Sequence, residues 1–113
     1  GTASYVGQSI ITADITTDIP VLDDKDYHTG TSQFNVDFGN KTLNGSLGIN
    51  KIQPVNINAS ISGNSFSGAA SSSSLPSAAR VEGKFYGSQA KELAGLAQAN
   101  DNSWAAAFGA QKQ

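Results

Sequence analysis

Apolar residues recur at every second position along most of this 113-residue chain, the period of a strand with one buried face. Phe34, Val36 and Phe38 alternate with Asn35 and Asp37 ahead of a Gly39-Asn40 turn. Leu43, Gly45, Leu47 and Ile49 follow, then Val55, Ile57, Ala59 and Ile61. Ser62-Gly63-Asn64 reads as a hairpin turn, with glycine available for positive φ. Phe66, Gly68 and Ala70 continue the same face, and Val81, Gly83 and Phe85 resume it after a Ser-rich loop, Ser71 to Ser74 with Pro76. Leu93, Gly95, Ala97 and Trp104, Ala106, Phe108, Ala110 end the series that Ala3, Tyr5 and Gly7 open. The pattern predicts an all-β, antiparallel up-and-down barrel of about eight strands in one domain over residues 1–113. The first strand would pair with the last and hide both edges. Only Ser88 to Leu93 has helical character, one turn at most.

Alternation does not say which face is inside, because an outer-membrane barrel alternates too, with its apolar side toward lipid. Residue size decides between them. Gly45, Gly68, Gly83, Gly95, Ala59, Ala70 and Ala106 are interleaved with Phe, Leu and Val, which suits the crowded interior of a small water-soluble barrel. A lipid-facing surface would be uniformly bulky and girdled by aromatic residues.

The longest interruption is residues 12–29, read as a loop that packs down partly through Ile15, Ile19, Val21 and Leu22. Connections this long are often functional. The loop holds Asp14, Asp18, Asp23, Asp24 and Asp26 against Lys25 alone, whereas the rest of the chain has four acids and six bases. The net charge of −2 therefore resides in one segment. Neither the charge nor its distribution suits a nucleic-acid partner. The absence of cysteine removes disulfides, thiolate catalysis and thiolate metal sites. There is no methionine and no visible signal peptide, so a mature form or an excised domain is expected.

The run Val81-Glu-Gly-Lys-Phe-Tyr-Gly-Ser-Gln-Ala-Lys-Glu-Leu-Ala-Gly95 and the ending Phe108-Gly-Ala110 resemble the carboxy-terminal hairpin of transferrin-binding protein B-like barrels. These are domains of Gram-negative surface lipoproteins, a superfamily that includes factor H-binding protein and neisserial heparin-binding antigen. Ser88 stands where the family usually has proline, and Ala94 where it has the first of two glycines. Phe34-x-x-x-Phe38-Gly39 and Phe66-Ser67-Gly68 extend the likeness loosely over the whole chain.

Little in the sequence points to chemistry. The clusters around Ser46 and Ser65 miss the Gly-x-Ser-x-Gly elbow. Gly83 to Gly87 lacks the strand-to-helix setting of a phosphate loop. Asp23, Asp24 and Asp26 do not follow a calcium-loop spacing. His28, beside Tyr27, is the sole histidine and too few for a zinc set, but one imidazole could serve as an axial haem ligand. No catalytic residue, no metal site and no resident cofactor is expected, with haem at His28 as the alternative.

The resemblance implies a non-enzymatic, monomeric binding module, the C-terminal part of a longer protein that is lipid-anchored on the extracellular face of the outer membrane or secreted. Its partner would be a host protein such as transferrin or a complement regulator, in iron acquisition or immune evasion. Loops on a rigid scaffold would carry recognition, and Asp23, Asp24, Asp26, Tyr27 and His28 are the candidates, with Ser71 to Leu75 as a second loop. Two alternatives stand beside it: a haem-capturing carrier, and a scaffold or export barrel whose missing N-terminal partner binds.

Overall fold

The computed structural model describes residues 1–13 and 27–113. Eight strands among them form one closed antiparallel barrel in chain order: β1 Thr2–Ala13, β2 His28–Asp37, β3 Thr42–Ile49, β4 Val55–Ser62, β5 Ser65–Ser71, β6 Ala79–Tyr86, β7 Glu92–Ala99 and β8 Trp104–Lys112. Closure pairs β1 with β8 from Tyr5↔Lys112 to Ala13↔Trp104. A single 3-10 turn, Ser88–Ala90, sits between β6 and β7. No helix of the described residues is long and apolar enough to cross a membrane.

The register fixes the barrel's width. Pairs run from Ala3 through Val36, Leu43, Ala59, Gly68, Val81, Ala97 and Ala106 and return to β1 at Ile11. One circuit thus slips the chain by eight residues (11 − 3). Eight strands with a shear of eight is the closure of the (β/α)8 barrel core, whose interior is filled by side chains and is not a pore.

The filling is an alternation of rings and bare backbone. Phe34 faces Gly45, Phe66 faces Gly83 and Phe108 faces Gly95 across neighbouring strands. A Cβ added at Gly45 or Gly83 would come within 2.2 Å of the facing ring, and one at Gly95 within 2.6 Å. Each ring therefore lies over a position where only hydrogen fits. Phe34, Phe66, Phe85, Phe108 and Tyr5 then form one chain of ring contacts, mostly tilted or edge-on, at centroid separations of 5.1 to 6.3 Å. Trp104, Leu43, Leu47, Val55 and Ile57 are among the side chains buried around these rings.

The inward residues are those the alternation predicts. Outward positions of β3 and β4 are Thr42, Asn44, Ser46, Gly48, Asn56, Asn58, Ser60 and Ser62, the reverse of the apolar band a membrane barrel presents to lipid. One boundary needs correction. The expected loop over 12–29 is shorter at both ends, because the β1–β2 ladder continues to Ile11↔His28. β-branched Ile10, Ile11 and Thr12 favour extended backbone there. His28 accordingly opens a strand instead of closing a loop.

Candidate functional site: the loop end of the barrel

Up-and-down order sends alternate connections to opposite rims, and the two longest, 14–27 and 72–78, share one. At one rim lie the tight turns 38–41, 63–64 and 87–91, together with both chain ends. Phe38 N–H donates to the Gly1 carbonyl at 2.9 Å and Gln113 N–H to the Ser4 carbonyl at 2.8 Å, so the ends are held by the wall. The opposite rim carries the connections 14–27, 50–54, 72–78 and 100–103. A scaffold that gathers its longer connections at one rim presents a composite loop surface.

The short rim is built for rigidity. Tyr5 reaches through the barrel floor and its hydroxyl donates to the Ala90 carbonyl at 2.5 Å. Lys112 Nζ donates to the neighbouring Gln89 carbonyl. Gln89 and Ala90 both adopt left-handed backbone, φ 58° and 54°, a conformation costly for residues other than glycine. The two donors pin that corner. Burial pushes the Tyr5 phenol above its ordinary pKa.

The long rim is partly stapled. Ser72 Oγ donates to the Gln53 carbonyl at 2.9 Å, and Gln53 N–H donates to Ser74 Oγ at 2.9 Å. Leu75 turns into the core, buried with the barrel residues. Trp104 Nε1 donates to the Ser77 carbonyl at 2.8 Å, and Asn100 N–H to the Ala78 carbonyl at 2.9 Å. Ser72, Ser74 and Leu75 thus fix two loops against each other, a structural role that the Ser-rich composition did not reveal. Asp101 is exposed, and Ser103, whose backbone N–H donates to Asp101 Oδ1 at 2.9 Å, holds its carboxyl below the usual range.

Of the candidate recognition residues, Tyr27 stands 56% exposed at this rim. His28 is half-buried at the start of β2. Asp23, Asp24 and Asp26 lie outside the described residues; the segment that contains them joins β1 to β2 and so begins and ends at the long rim. Among the described residues, no group of three or more His, Asp or Glu side chains is arranged to hold a metal ion.

Comparison with known proteins identifies the barrel. Residues 1–112 match the family model described as the C-lobe and N-lobe beta barrels of Tf-binding protein B. The chain belongs to this family. It is 57% identical over 91 residues to an uncharacterised protein of Haemophilus influenzae, covering 80% of this chain and 31% of that protein. It is 34% identical over 106 residues to transferrin-binding protein B of Neisseria meningitidis serogroup B, covering 74% of this chain and 18% of the other. Transferrin-binding protein B of Actinobacillus pleuropneumoniae superposes with a TM-score of 0.79 at 31% identity, over 100% of this chain and 62% of that one. The chain therefore spans less than a third of the length of either sequence relative. The carboxy-terminal hairpin that carries the resemblance forms β6, the 3-10 corner, β7 and β8.

Proposed function

We propose that this transferrin-binding protein B-type barrel is a non-enzymatic binding module of a Gram-negative surface lipoprotein, lipid-anchored to the outer membrane, that engages a host protein through its long rim. The observation that carries the reading is the closure. A shear of eight with rings seated over glycines leaves the interior solid, so recognition belongs to the outside, and the rim opposite the chain ends gathers the longer connections. The relatives named for transferrin supply the partner class, and an iron-loaded host protein is the leading candidate. The acidic segment between β1 and β2, with five Asp and one Lys, favours a basic patch on that partner and an association that weakens with salt.

The haem alternative would have to act at the same rim, since a porphyrin has no space among Phe34, Phe66, Phe85 and Phe108. Tyr27 and His28 are the groups that could face iron there. The deciding experiment titrates the protein with transferrin by interferometry and, separately, with haemin by absorbance. Transferrin binding lost in the Asp23→Asn, Asp24→Asn, Asp26→Asn variant supports the host-protein reading. A Soret shift abolished by His28→Ala, without transferrin binding, replaces it with haem capture. Two blank titrations overturn both and leave the barrel as a scaffold.

A further inference from the structure

The two rims differ in charge as well as in their connections. Lys41, Lys84, Lys91 and Lys112 lie at the short rim, in or beside its turns and at the end of β8. Lys84 belongs with them because it pairs with Ser65, the first residue of β5 after the 63–64 turn. Only Asp37 and Glu92 oppose them there, and Asp37 already accepts from the Asn40 side chain and backbone N–H. The whole chain has a net charge of −2, so the short rim carries +2 (four bases, two acids) and everything else −4 (three bases, seven acids). The terminal amino and carboxyl groups, both at this rim, offset each other. Lys41, Lys84 and Lys91 are exposed, and among the described residues none of the three side chains forms an ion pair or hydrogen bond. Lys112 is engaged, with the Gln89 carbonyl. Charge of one sign held at one end of a rigid body orients that body in an external field.

A second feature shares the rim. The barrel mouth between the three turns is an open recess of about 440 Å³, walled by Phe38, Phe85, Tyr86 and Ala90 with Gly63, Asn64 and Gly87 at its lip. Phe38 and Phe85 lie 5.4 Å apart between centroids, and Phe38 packs onto the core. Tyr86 does not: it has outward parity on β6 and its side chain is 50% exposed. Aromatic groups ringed by lysines suit a bilayer at headgroup depth, where the rings favour the interface and the ammonium groups the phosphates.

We propose that the short rim seats the barrel on an anionic lipid surface, with Lys41, Lys84 and Lys91 against headgroup phosphates and Tyr86 at the boundary with the acyl chains. The acidic 14–26 segment begins and ends at the opposite rim, so repulsion there selects the same orientation. The seat leaves the long rim pointing away from the bilayer. So few lysines hold a protein weakly on their own, and they act as the second of two signals beside a covalent lipid anchor. The inference deepens the outer-membrane placement proposed above. Its test does not involve the long rim's partner, so its failure leaves the host-protein reading standing.

The chain has no cysteine, so Asn64→Cys at the short rim and Asn102→Cys at the long rim each take a single environment-sensitive fluorophore; both positions are exposed. The labelled proteins are mixed at low ionic strength with vesicles of phosphatidylcholine alone, or of equimolar phosphatidylcholine and phosphatidylglycerol. The expected result is a blue shift at position 64 on the anionic vesicles only, none at position 102, and co-sedimentation that weakens as salt rises. The combined Lys41→Gln, Lys84→Gln, Lys91→Gln variant, with a native unfolding transition, partitions at least about tenfold less. Tyr86→Ser weakens partitioning with the salt dependence intact. No binding to the anionic vesicles, equal binding to both vesicle types, or a shift at position 102 in place of 64 overturns the proposal. Displacement by inorganic phosphate beyond that by chloride at equal ionic strength overturns it in favour of a site for free phosphate. Capture by soluble polyglutamate without vesicle binding overturns it in favour of an acidic protein partner.

Discussion

Replacing Phe108 with alanine tests the placement of the barrel's two faces. The ring is buried, lies 5.1 Å from Phe34 and 6.3 Å from Phe66 between centroids, and caps Gly95 on β7. Removing roughly 150 Å² of apolar surface from burial at about 25 cal/mol per Å² is a loss of about 4 kcal/mol. The two aromatic contacts each add about 0.5–1.5 kcal/mol, and partial collapse of the cavity offsets some of that. A net cost of about 3–5 kcal/mol is expected, a large share of the roughly 5–15 kcal/mol available to a domain of this size. Urea unfolding followed through Trp104, the single tryptophan and 2% exposed, reads the change directly. The companion variant Gly95→Ala drives a methyl toward the same ring and the Glu82 carbonyl, costing about 1–3 kcal/mol. The double variant should cost less than the sum by about 0.5–3 kcal/mol, because removing the ring relieves part of the clash. A Phe108→Ala cost indistinguishable from zero, or strict additivity with Gly95→Ala, would refute the ring-over-glycine core.

Further outcomes follow from the rims and from the close backbone approaches at the β1–β8 seam. Tyr5→Phe removes the hydroxyl that pins the Ala90 carbonyl and should cost about 1 kcal/mol by urea titration. The native Tyr5 pKa lies above its unfolded value of 10.0, so its contribution is full below that pH and declines as pH rises through the folded value; Tyr5→Phe should flatten that alkaline loss. Asp101 and Asp37 titrate below their ordinary 3.8, Asp37 chiefly through the Asn40 backbone and side-chain donors. Their stabilisation is present above that pH and lost as pH falls through the lowered values, so Asp37→Asn should shallow the acid limb of stability against pH. Gly7→Ala should destabilise the 113-residue chain by about 1–3 kcal/mol while Gly109→Ala stays within about 0.5 kcal/mol of native, measured side by side by thermal melting.

The barrel was legible in the sequence because most inward positions follow an apolar period of two, with buried Ser9 and Ser32 and exposed Gly68 as exceptions. Phe34, Val36, Leu43, Leu47, Val55, Ile57, Phe85 and Phe108 are buried where the alternation places them. The glycines among them read as small-beside-large packing, which became ring-over-backbone contact once the register was known. The far ends of β1 and β2 were missed, since Thr29 and His28 carry no hydrophobic signal and join the ladder opposite Ile10 and Ile11. The role of Ser72 and Ser74 was hidden as well: their partner, Gln53, is 19 and 21 residues away in a different loop. The apolar strip of Leu96, Ala107 and Ile10 on the outer surface was invisible for a related reason. Leu96, Ala107 and Ile10 sit on the polar parity of three separate strands and become neighbours only through the closure between β8 and β1.

The measurement that bears most directly on the account is capture from host serum by three forms of the immobilised protein. One is native, one has residues 14–26, between β1 and β2, replaced by a short Asn-Gly turn, and one has the 63–64 turn at the opposite rim exchanged for another two-residue hairpin turn. Bound proteins are identified by mass spectrometry, and each form is checked for an intact barrel by its unfolding transition. The account predicts one dominant serum protein on the native form and on the opposite-rim variant, and its loss when residues 14–26 are replaced. Capture that survives the loss of residues 14–26 but fails when the 63–64 turn is changed would contradict it.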